Sequence, residues 1–152
     1  MLTNTIRFAS LALCLAAVAA PAQANCRINS LTASPAVNRV FKANGGYEFK
    51  NYDTLCAKLQ KANAQIVLVG SSGVLANRSY AWISIGVGDG ANGNIMTNDF
   101  ATSRTTMNEY ASSDKADAVL WETINVALNE WNVDPAIAAL QKVRKTVKPA
   151  GR

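Results

Sequence analysis

Residues 80–87 alternate without a break. Ala81, Ile83, Ile85 and Val87 fall on one side, and Tyr80, Trp82, Ser84 and Gly86 on the other. That two-residue period is the mark of a strand. Residues 65–70 form a brief aliphatic run bounded by Gly70-Ser71-Ser72-Gly73 and read as a strand buried on both faces. Residues 74–76 read as a further extended piece. Residues 88–93, Gly-Asp-Gly-Ala-Asn-Gly, read as the turn of a hairpin. Residues 95–106 are polar and rich in Thr, as a strand at a sheet edge or with one face in water would be.

Elsewhere the apolar residues recur every three or four positions. Ser34 and Pro35 open one such stretch as an N-cap and a first helical residue. Val37, Val40 and Phe41 share its face, and Asn44-Gly45-Gly46 ends it as a left-handed stop. Residues 47–50 are a connector. A second helix is expected from Asp53 to about Asn63, with Leu55, Cys56, Leu59 and Ala62 on one stripe. Ser112-Ser113-Asp114 caps a long helix over about residues 115–131, whose apolar face holds Ala116, Val119, Leu120, Ile124, Ala127, Leu128 and Trp131. Asp134-Pro135 starts a last helix to about Val147. The order helix, helix, strands, helix, helix predicts an α+β fold, with helices packed on a small, mainly antiparallel sheet.

The first 24 residues do not belong to that domain. One positive charge, Arg7, precedes an apolar stretch over residues 11–20, and Ala22-Gln23-Ala24 follows. Charge, apolar run and small-x-small site, in that order, are expected of a cleavable secretory signal. The run is shorter than the roughly 20 residues a membrane span needs. The expectation is therefore a single domain over residues 25–152 with a short basic tail, exported to the periplasm or the exterior of a bacterial cell. Such a compartment is oxidising. Cys14 leaves with the signal and Cys26 and Cys56 remain, so they are expected to form one disulfide.

Composition narrows the chemistry further. There is no histidine, so Ser-His-Asp and Cys-His catalysis are unavailable in their usual forms, as are zinc sites built on His or several Cys. No cofactor and no metal site is implied. The formal net charge of +5, one unit of which leaves with Arg7, is weak evidence for an anionic partner. Gly86-Val87-Gly88-Asp89-Gly90 lacks the following helix that a phosphate loop needs. Ser112-Ser113-Asp114-Lys115 matches the Ser-x-x-Lys of penicillin-binding enzymes, but capping explains its serines. Asn77-Arg78-Ser79 matches a glycosylation sequon that a bacterial chain does not use.

Three groups of residues remain as candidates. Tyr80 and Trp82 face away from the aliphatic side of their strand and suit a partner anchor; the competing reading is a second core layer. Asp89, Asp99 and Glu109 offer carboxylates for a polymer hydrolase, provided two of them share a cleft. Lys142, Arg144, Lys145, Lys148 and Arg152 occur without an acid among them and could meet an anionic surface, although no interleaved aromatics mark a nucleic-acid site. The leading expectation is a small non-enzymatic binding protein with another protein as partner, such as an inhibitor or immunity protein against a hydrolase or toxin. A carboxylate-dependent hydrolase and an anionic-surface binder are the alternatives.

Overall fold

A computed structural model describes residues 26–147. The expected signal segment, Lys148 and Arg152 lie outside them. The fold is α+β, with four helices and one four-stranded sheet. In chain order the elements are β1 (Ser30–Thr32), α1 (Pro35–Asn44), α2 (Tyr52–Lys61), β2 (Ala64–Leu75), β3 (Arg78–Asp89), β4 (Met96–Asn108), α3 (Ser113–Glu130) and α4 (Asp134–Thr146). The sheet order is β1-β2-β3-β4. β2, β3 and β4 form an antiparallel meander, while the three-residue β1 joins β2 in parallel. The sheet is thus mixed, with a parallel edge that the apolar pattern of so short a strand does not announce.

The strand expected to end at Gly70 continues to Leu75. The Gly-Ser-Ser-Gly segment is strand interior rather than loop, and Gly70 has a steric reason to be there. A Cβ on it would lie 2.6 Å from Trp82 O and 2.7 Å from Ile83 Cδ1. Across the sheet, Gly73 lies under the ring of Tyr80, whose Cε1 would stand 3.0 Å from an added Cβ. An aromatic side chain laid over a strand glycine restores the packing the glycine lacks. The turn after Leu75 is a two-residue connection through Ala76 and Asn77, at φ 48° and 59°, the twist that matches paired strands.

One face of the sheet carries the core. Ile66 and Leu68 of β2 stand beside Val87 and Ile85 of β3, with Ala81 and Ile83 further along, and all are fully buried. Val119, Leu120, Ile124 and Leu128 of α3 and Ala136 and Leu140 of α4 pack into the same cluster with Val37, Val40, Leu55 and Leu59. Among the described residues, no helix covers the other face. β2 is therefore buried on one side only, contrary to the expectation of two: Val69 is 48% exposed. An uninterrupted aliphatic run looks the same whether its second face meets helices or water, which is why the run misleads.

The N-terminal segment is fastened at several points. Cys26 and Cys56 form the expected disulfide. The Tyr52 hydroxyl donates to Cys26 O at 3.1 Å and accepts from the Ile28 N–H at 3.2 Å. Ser34, expected to cap α1, makes no side-chain bond to that helix. Its Oγ accepts the Gly70 N–H at 3.1 Å instead. β1 ends at Thr32, and the serine hydroxyl serves the β2 backbone just beyond it. Ser112 does cap α3, accepting from the Lys115 N–H, and Gly45 ends α1 in the left-handed conformation.

Candidate functional site

The uncovered sheet face is built by the alternation of three strands. Val67, Val69, Ser71, Gly73 and Leu75 of β2 lie in register with Gly86, Ser84, Trp82, Tyr80 and Arg78 of β3. Ser103, Thr105 and Met107 of β4 continue the rows of Ser84, Trp82 and Tyr80. Leu31 of β1 pairs with Val67 and adds to the far side. The exposed apolar groups there are Trp82 at 38%, Val69 at 48%, Met107 at 56% and Leu75 at 64%, together with Leu31 and Met96. Among these residues Arg78, at the hairpin end, is the single charge.

Tyr80 and Trp82 both belong to this face. Trp82 is exposed, and Tyr80 is half-buried with its ring over Gly73. Neither contributes to a second core layer beneath α3. Trp121 packs instead on Phe41, with ring centroids 5.5 Å apart, and the Trp131 indole N–H donates to Phe100 O at 3.0 Å. The alternation within β3 marked the aromatic pair; Val69, Leu75, Leu31 and Met107 went unmarked. Continuing the two-residue period of β2 through Gly73 would have found the first two.

Of the three candidate carboxylates, Asp89 and Glu109 stand at opposite ends of the sheet. Asp89 ends β3, whereas Glu109 follows Asn108, the partner of Ser79 at the opposite end of that strand. Ten residues of strand separate those ends, or about 33 Å. Asp99 lies in a wide bulge of β4: Thr97 pairs with Val87 and Thr102 with Ile85, so residues 98–101 face Gly86 alone. It borders a groove of about 300 Å³ shared with Phe100, Pro135, Ala138, Lys142 and Val143. Phe100 sits in that bulge at φ 58°, with its side chain exposed.

Asp89 is buried and its acceptors are occupied. Oδ1 accepts the N–H groups of Ala91 at 2.7 Å and Asn92 at 2.9 Å, and Oδ2 accepts Arg144 Nε–H at 2.5 Å. Burial alone would raise this carboxyl. The Asn92 N–H, the Arg144 guanidinium and the Ala91 N–H outweigh it and hold the group below the ordinary carboxylate range. A carboxyl so held stays ionised and paired, which suits an anchor of the turn and not a proton donor. Neither Asp89 nor Glu109 lines the groove that Asp99 borders.

Of the basic residues near the C-terminus, Arg144 is turned inward. Besides Asp89 it donates to Ala62 O and Asn63 O, at 2.7 and 2.6 Å. Lys142 and Lys145 are exposed. Asp117, which a helical wheel places inside the apolar arc of α3, forms a two-pronged ion pair with Arg39 of α1, at 2.6 and 2.7 Å, and accepts from Ser72 Oγ at 2.7 Å. The Arg39 hydrogen bond, working against partial burial and helped by Ser72, holds the Asp117 carboxyl low. It ties α1, α3 and β2 together.

Among the described residues no cluster of three or more metal-ligating side chains comes together, and no helix is long and apolar enough to cross a membrane. Comparison with protein-family models, curated proteins and solved structures finds no match for this chain.

Proposed function

We propose that this chain is an exported binding protein without enzymatic activity, and that it takes a protein partner on the open face of its sheet around Tyr80 and Trp82. The observation that carries the reading is the exposure of Trp82, Val69, Leu75 and Met107 on one almost charge-free surface that no helix among the described residues covers. Contiguous apolar patches of several hundred Å² on a folded chain mark contact sites, and tryptophan is the side chain that most often carries binding energy there. The Cys26–Cys56 disulfide supports export, because such bonds persist outside the reducing cytoplasm. Inhibition or neutralisation of a secreted hydrolase or toxin is the activity that best suits a small, disulfide-stapled chain lacking histidine.

The test places a photo-crosslinking residue at position 82, at position 69 and, as a control, at Glu122 on the exposed side of α3. The mature protein is then mixed with periplasmic and extracellular extracts. Capture of one partner from positions 82 and 69 but not from 122, lost in the Tyr80→Ala, Trp82→Ala double variant with unchanged circular dichroism, is the expected result. Equal capture from all three positions, or capture unaffected by the double substitution, would overturn the assignment of this face.

A further inference from the structure

The open face has properties that narrow its occupant. It is neutral from Leu31 across to Met107, with Arg78 at its rim, although the whole chain carries a formal net charge of +5. Oppositely charged partners gain affinity and speed by pairing charges, and this face presents almost none to pair. Two copies of one basic protein repel each other unless their charges point away from the contact, which is how the charges lie here. At about 4.8 Å between strands and 3.3 Å per residue, the face measures roughly 600 Å². Two such faces bury about 1,200 Å² together, the lower bound for a specific interface.

Shape agrees with charge. Sheets of the same twist stack face to face at about 10 Å with strands some 30° apart, and two copies of one sheet share their twist. Trp82 and the Tyr80–Met107 pair form a ridge. In the next row, Ser84 and Ser103 form a low strip, with Val69 at its β2 end. A two-fold axis between the Trp82 and Ser84 rows seats each Trp82 ridge over the Ser84–Ser103 strip of the other copy, the self-complementary arrangement a symmetric dimer requires.

We infer that the occupant of this face is a second copy of the chain, giving a two-fold dimer in which the two sheets stack through Trp82, Val69 and Met107. This rests on the reading of that face as the contact surface, and it names the partner. Given the small area, the dimer forms with a dissociation constant of about 1–100 μM.

Sedimentation velocity of the mature protein over about 1–300 μM tests it. The expected result is a concentration-dependent shift from monomer to dimer. Trp82→Arg and Val69→Lys should each weaken it at least tenfold, with unchanged circular dichroism; Ser84→Arg serves if either fails to fold. Ser84→Cys should be joined into a covalent dimer by a short bismaleimide that spans the sheet spacing of about 10 Å, and Ala138→Cys on the exposed side of α4 should not. A monomer throughout the range without a Ser84→Cys dimer overturns the inference, as does association that survives the face substitutions. If the protein is monomeric yet photo-crosslinks a different protein from position 82, self-pairing fails and the broader reading stands. If it dimerises and captures nothing else, self-pairing stands and the capture of a separate partner fails.

Discussion

Arg144 of α4 grips Asp89 at the last residue of β3, and the same guanidinium reaches the two carbonyls that follow α2. One side chain thereby joins the last helix, the sheet and the α2–β2 connection. Replacing Arg144 with Met leaves a buried carboxylate without its cation and two carbonyls without a donor. The expected cost is about 2–4 kcal/mol, read from urea denaturation at pH 7.

Acid should expose the same contact. The Asp89 carboxyl lies below its ordinary value of about 4 in the folded protein. Its contribution is therefore complete above that value and is lost as pH falls through the folded one. The stability gap between the wild type and Asp89→Asn should shrink from pH 6 to about pH 2.5. A constant gap across that range would contradict the role given to this ion pair.

Gly70 tests the close approach of β2 and β3. An alanine there puts Cβ against the Trp82 carbonyl oxygen, which is backbone and cannot swing aside. Gly70→Ala should cost about 2–3 kcal/mol, whereas alanine at Gly93, with its nearest neighbour at 3.7 Å, should be close to neutral. Similar melting temperatures for the two variants would show that the strands can part at Gly70.

At the β2–β3 turn, Ala76 holds φ 48°, a region that costs a residue with a Cβ about 1–2 kcal/mol. Glycine removes that strain at some cost in unfolded-state entropy. Ala76→Gly should therefore stabilise the protein by about 0.5–1 kcal/mol. Loss of stability would mean that the turn relaxes when the methyl group is removed.

The Cys26–Cys56 bond closes a loop with a sequence separation of 30. Opening it should cost about 3–4 kcal/mol in the chain-entropy account. The paired Cys26→Ala, Cys56→Ala variant should lose at least that amount, because Cys56 is also a fully buried member of the core cluster. Intact mass under non-reducing conditions should show both thiols oxidised in the wild type.

Much of this fold was legible in the residues. The four helices stand where the three- and four-residue spacing placed them, because each is amphipathic and packs on one side only. β3 was legible because it separates two unlike faces, aliphatic and aromatic. β1 escaped notice because three residues are too few to show a period, and its pairing with β2 depends on contacts far along the chain. β2 was cut short at Gly70 because glycine ordinarily punctuates a strand, whereas here it yields space to Trp82 O and Ile83. Arg144 read as part of a basic end because its partners, Ala62, Asn63 and Asp89, are distant in sequence. Tyr80 and Trp82 were legible as a pair. The breadth of the surface around them was not, since it depends on which strands stand side by side.

Synthesis runs from the N-terminus, so β1 is made early and seated late. Ser30 finds its partner in Ile66, and Ser34 its acceptor role at Gly70, only after β2 has been made as far as Gly70. The meander of β2, β3 and β4 needs only neighbours joined by turns, and contacts between near neighbours form fastest. β1 is therefore expected to dock last, as a latch closing on a sheet that later residues have assembled.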